Sequence, residues 1–149
     1  MNRITIIGDE KQAGIDFDAA SGTLKLTGRS IPEDSVDFFG PLIEWVRQYG
    51  ENPQPKTVID CYLEYFNTSS AKLILDIFKE AENIHTGGKS KVVIRWKHDK
   101  GDLDIMEAGK DYSLIVAVPF EVVEVAEEDN DARFWFPAIF RLTTYILYI

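Results

Sequence analysis

Thiols and positive charge are scarce in this chain. Cys61 is the only cysteine, so no disulfide can form within one molecule, and a reducing compartment, the cytoplasm, is expected. Lys and Arg together number 16 against 25 Asp and Glu, a net charge of -9. A surface of that sign repels phosphate backbones and anionic membranes, which argues against a nucleic-acid partner. Six Pro and ten Gly are too few for a collagen-like or linker-dominated chain. The apolar stretch near the N-terminus, Ile4 to Ile7, is too short for a signal peptide. What remains is an ordinary globular composition, 45% hydrophobic and 28% charged over 149 residues, enough for one domain with a core.

The patterning alternates between strand and helix. Residues 15–28 read as a hairpin, with Ile15 and Phe17 alternating with Asp16 and Asp18 and a turn at Ser21-Gly22. Pro32, Glu33 and Asp34 suit the first turn of a helix that runs to about Tyr49. Its apolar stripe would be Val36, Phe39, Leu42, Ile43, Val46 and Tyr49. Pro41 predicts a kink, or a helix that starts there. Thr57 to Leu63 is β-branched and apolar, as in a buried central strand. A second helix follows Asn67-Thr68-Ser69-Ser70 and extends to about His85, with Leu73, Ile74, Ile77, Phe78, Ala81 and Ile84 facing inward and Gly87-Gly88 ending it. Lys91 to Trp96 is another strand, residues 97–104 a polar connection, Leu103 to Leu114 a weaker helix and Phe120 to Val125 a last strand. This order predicts an α/β domain, one layer of mixed or parallel sheet flanked by helices. Residues 126–149 stand apart: an acidic run and then a strongly apolar, aromatic segment broken by Pro137 and Arg141. The segment is marginal in length for a membrane span, and none is expected. An element packed on the domain, a hydrophobic contact patch and a segment without an evolved role all fit it.

Most motifs have a bland explanation. Gly87-Gly88-Lys89-Ser90 imitates the end of a phosphate-binding loop, but Asn83 stands where the motif needs Gly, and a helix precedes it where a strand should. Cys61 sits in an apolar strand, where small thiols are buried and inert, and neither His85 nor His98 is spaced to activate it. His98, Asp99, Asp102 and Asp104 offer hard ligands but lack calcium-loop spacing, so a solvated loop is expected there. Asn67-Thr68-Ser69-Ser70 is different. One helix cap needs one side-chain oxygen, yet three hydroxyls cluster here beside an Asn, just beyond the C-terminal end of a buried strand. A phosphate at that point would face the positive end of a helix. Capping and phosphorylation both fit this run.

Leu63-Glu64-Tyr65-Phe66-Asn67-Thr68-Ser69-Ser70 resembles the L-x-Y-x-N-T-S-S signature of the SiaC family of bacterial regulatory phosphoproteins. Pro32-Glu33-Asp34-Ser35 with Phe39, Glu44-Trp45-Val46, Gly87-Gly88 and Arg95-Trp96 match further pieces in the same order, over roughly residues 10–125. The resemblance implies a STAS-like, anti-sigma-factor-antagonist-like domain over 1–125. The Thr of the signature, here Thr68, would be the phosphoacceptor. Tyr65, Asn67, Ser69 and Ser70 would be its neighbours in a partner interface. It also implies three partners: a protein kinase, a PP2C-type phosphatase and a diguanylate cyclase bound by the unphosphorylated form. Residues 126–149 match nothing in the family pattern. The resulting expectation is a non-enzymatic, phosphorylation-controlled partner switch with no cofactor. A constitutive binding module, capping its helix with Thr68 and never modified, is the alternative.

Overall fold

The computed structural model describes residues 1–126. Its elements, in chain order, are β1 (Ile4–Ile6), β2 (Gly14–Asp18), β3 (Thr23–Ser30), α1 (Ser35–Tyr49), β4 (Lys56–Phe66), α2 (Thr68–Thr86), β5 (Lys91–Asp99), α3 (Leu103–Ile115) and β6 (Phe120–Val125). They form one mixed sheet in the order β1-β2-β3-β4-β5-β6. The first three strands pair antiparallel and β3 to β6 pair parallel. The parallel part is wound by three βαβ crossovers that step in one direction, so crossovers of one hand put every helix on the same face. Ring contacts agree: Trp45 of α1 meets Phe17 of β2, while Phe78 of α2 and Tyr112 of α3 both meet Trp96 of β5.

Under the helices, Phe17, Leu24, Leu26, Ile59, Ile94 and Trp96 are buried and meet Phe39, Leu42, Ile74, Ile77 and Phe78 from above. Each such side chain contributes roughly 1.5–3 kcal/mol on leaving water. The opposite face is polar. One row across it, set by the strand register, reads Asp16, Lys25, Asp60, Arg95, Glu121, with alternating charge. Arg3 binds Asp16 with two hydrogen bonds of 2.8 Å and holds its carboxylate below the usual range. Lys97 pairs with Asp60 at 3.2 Å and Arg95 with Glu121 at 3.4 Å. Opposite charges thus lie side by side across this face, although the buried Arg95 Nε makes no hydrogen bond with any described residue.

Some expectations hold and others need correction. The Ile4–Ile6 segment, read only as too short for a leader, is an edge strand paired with β2. Helix α1 starts at Ser35 and not at Pro41, which lies inside it, because the buried stripe (Ser35, Phe39, Leu42, Val46, Tyr49) holds the helix on the sheet on both sides of the proline. That stripe begins at Ser35, which turns Val36 outward to 68% exposure and brings Trp45 inward. Pro32 and Glu33 precede the helix, and Asp34 is its cap, accepting from the Asp37 amide at 3.0 Å. Strand β5 continues through His98 to Asp99, so part of the expected polar connection is sheet, and His98 is buried. Asp102 caps α3 by accepting from the Ile105 amide at 3.1 Å. Gly87 closes α2 and Ser90 is buried ahead of β5, an order of helix then strand that is unlike a phosphate-binding loop. Cys61 is fully buried, and burial pushes its thiol pKa up, away from nucleophilic use. The apolar segment 132–149 lies outside the described residues.

Candidate functional site

The C-terminal ends of β3 and β4 and the N-terminal ends of α1 and α2 meet at one edge of the sheet. In open α/β sheets, ligands bind outside the carboxyl ends of the strands. The geometry of this edge starts from a bulge. Strand β3 pairs Gly28 with Leu63 and then Arg29 with Tyr65, leaving Glu64 as an extra residue in β4. Up to Leu63, odd-numbered residues of β4 face the helices; beyond Glu64 the phase reverses. Phe66 therefore turns inward to meet the Trp96 indole edge-on, with centroids 5.8 Å apart. Tyr65 turns outward and is 46% exposed. The Arg29 guanidinium lies 5.3 Å from the Tyr65 ring centre and 3.5 Å from Glu64, and donates to the Glu10 carbonyl oxygen at 3.2 Å.

Asn67 comes next and caps α2. Its backbone is extended, and its side-chain oxygen accepts from the Ser70 amide at 2.9 Å and the Ser69 hydroxyl at 3.1 Å. Its own amide donates to the Ser30 carbonyl oxygen at 3.0 Å. Ser70 is fully buried and donates to that same carbonyl at 3.1 Å; the Ser30 hydroxyl lies 2.9 Å from the Ser70 hydroxyl. The Ser69 hydroxyl is 2.6 Å from that of Ser35, which joins the first turns of α1 and α2. Thus Asn67, Ser69 and Ser70 are all committed within the protein.

Thr68 is not. It occupies the first helical position and is exposed, and its hydroxyl bonds to no other described residue. The capping role that the sequence left open for Thr68 belongs to Asn67. Of the other positions singled out, Tyr65 and Ser69 lie exposed at this edge and Asn67 is partly buried, but Ser70 lies beneath the surface and ties α2 to β3. Sequence reasoning missed Ser30, Ser35 and Arg29, which join this cluster from β3 and α1. The only local signal was that Ser30 and Ser35 bracket the predicted helix start. Replacing Asn67 with Ala is expected to cost about 1 kcal/mol in chemical denaturation, the usual value of a lost cap. No change in midpoint would contradict the assignment.

The sequence matches the family described as SiaC family regulatory phosphoprotein over residues 6–125. The chain belongs to the SiaC family. Three similarities give that membership detail. An uncharacterized protein of Pseudomonas aeruginosa (strain UCBPP-PA14) is 32% identical over 122 residues, covering 82% of this chain and 96% of that protein. The structure of SiaC of Pseudomonas aeruginosa superposes with a TM-score of 0.76 at 31% identity, covering 84% of this chain and 100% of that one. SiaC in the crystal structure of the diguanylate cyclase SiaD in complex with its activator SiaC, from the same organism, gives a TM-score of 0.77 at 31% identity, covering 82% and 99%. The mixed α/β fold is thus that of the SiaC structures. Among the described residues, no helix is long and apolar enough to cross a membrane.

Proposed function

We propose that this SiaC-family chain is a cytoplasmic, non-enzymatic switch that binds a diguanylate cyclase while Thr68 is unmodified and leaves it when Thr68 is phosphorylated. The observation that carries this reading is the exposed Thr68 hydroxyl, idle in a turn where the side chains of Asn67, Ser69 and Ser70 are all engaged. A kinase would move a phosphoryl group from a nucleoside triphosphate to that oxygen, with the hydroxyl proton passing to a base on the kinase. A PP2C-type phosphatase would return the hydroxyl by hydrolysis. The cap belongs to Asn67, so neither event needs α2 to unwind.

The docking face would be the edge around Thr68: Tyr65, Ser69 and the exposed side of Asn67, with Ser70 supporting it from below. Phosphorylation adds about −1.5 to −2 charge and three strong acceptor oxygens. An interface shaped around a neutral hydroxyl would have to desolvate that group, and the complex would part. Glu64, two-thirds exposed beside Arg29, keeps this edge from being strongly basic. The SiaD complex, in which SiaC is the activator, supports a cyclase as partner.

Incubation with the cognate kinase and ATP, followed by intact mass measurement, tests the covalent step. A gain of one phosphate, lost on Thr68→Val, is expected. An unchanged mass would favour a constitutive binding module, and a gain that survives Thr68→Val would move the acceptor elsewhere.

A further inference from the structure

A phosphate on Thr68 would be attracted to a nearby cation, and helix geometry supplies a candidate. Lys72 lies four residues on, one turn along α2, so its side chain and that of Thr68 occupy the same strip of the helix surface. An acidic group placed N-terminal to a basic one at this spacing is the favoured order. Lys72 is exposed and makes no ion pair or hydrogen bond with any described residue. Of the other cations near this edge, Arg29 is already shared between Glu64, the Glu10 carbonyl and the Tyr65 ring, and Lys11, whose carbonyl accepts from the Ile31 amide at 2.8 Å, shares a surface pocket with Glu33, Asp34 and Asp37. Asp76 follows one turn after Lys72 but forms no ion pair with it. The carboxylates at the start of α1, Glu33, Asp34 and Asp37, belong to another element and would repel a phosphate.

We propose that Lys72 is the residue that binds the phosphate of phosphorylated Thr68. The proposal rests on Thr68 being the acceptor. In the unmodified protein the Lys72 ammonium is free to meet a carboxylate on a partner. After modification it is occupied, so the strip changes from about +1 to about −1 and a partner loses an attractive contact as it gains a repulsive one. The ammonium also favours the dianion, lowering the second phosphate pKa from its usual value near 6.

The test needs no kinase. Phosphothreonine is incorporated at position 68 during translation, and its 31P resonance is titrated with pH in the wild-type background, in Lys72→Gln and in Lys72→Arg. The second pKa is expected to be ~0.3 unit lower with Lys72 than with Gln, the size of an i,i+4 ion pair. Arginine should restore it, and ~1 M salt should erase the difference. Circular dichroism establishes that each variant is folded. The same pKa with Lys72 and with Gln overturns the assignment. Cyclase binding by the same phosphoprotein separates the two readings. Binding lost with the pKa indifferent to Lys72 removes only the lysine; binding retained with the pKa shifted removes only the switch.

Discussion

Phosphorylation of Thr68 is expected to weaken cyclase binding by at least about a hundredfold, whereas Thr68→Ala should change it by no more than about threefold. The asymmetry follows from the geometry. The Thr68 hydroxyl supports nothing inside the protein, so removing it leaves Asn67, Ser69 and Ser70 in place. At most one hydrogen bond to the partner is lost, about 0.5–1.5 kcal/mol. Adding a dianion is another matter. Desolvating a charge in an interface that does not pair it costs about 2–5 kcal/mol, of which an exposed i,i+4 lysine returns only about 0.2–0.5, and a hundredfold corresponds to about 2.7 kcal/mol. Thr68→Glu carries only about half the charge and should fall between the two. Calorimetric titration of the cyclase with the four forms measures the order, and equal affinities would end the switch reading.

The second large effect is on the fold. Trp96→Ala is expected to remove about 3–5 kcal/mol of stability, the range for large aromatic truncations in a core. Trp96 is 1% exposed and touches the rings of Phe66, Phe78, Tyr112 and Phe120, with centroids 5.8, 6.3, 5.3 and 6.4 Å away. Its indole N–H donates to the Ile105 carbonyl oxygen at 2.7 Å. Gly109 makes this approach possible, since any β-carbon there would overlap the indole. One side chain thus joins β5 to α2, α3 and β6. It also backs Phe66, the residue just before Asn67, so its loss should loosen the phosphoacceptor turn. Urea denaturation measures the first consequence, and a loss below about 1 kcal/mol would contradict it. Faster amide exchange at Ser70 reports the second.

The parallel half of the fold was legible because its signals are local. The apolar run Thr57–Leu63 announces a central strand, and the stripe Ile74, Ile77, Phe78, Ala81, Ile84 announces the face of α2 that is buried. The Asn67-Thr68-Ser69-Ser70 run marked the site by composition alone, since three hydroxyls exceed what one cap uses. Edge strand β1 was missed because three residues show no period, and only pairing with β2 identifies them as a strand. Pro41 misled as a possible helix start for a related reason: the penalty is local, while the packing of Phe39, Leu42 and Val46 that carries the helix past it is tertiary.

Chain order alone determined an acidic α/β domain with hydroxyls after its central strand. The tertiary fold decided which of those hydroxyls faces outward. Strict alternation would send Tyr65 into the core with Leu63; the extra residue Glu64, visible only against the register of β3, reverses the phase. It then took Ser30 and Ser35, distant in sequence, to occupy Ser70 and Ser69. The physical reason is that a side chain's period is set by its own strand, but its partners are set by the strands and helices beside it.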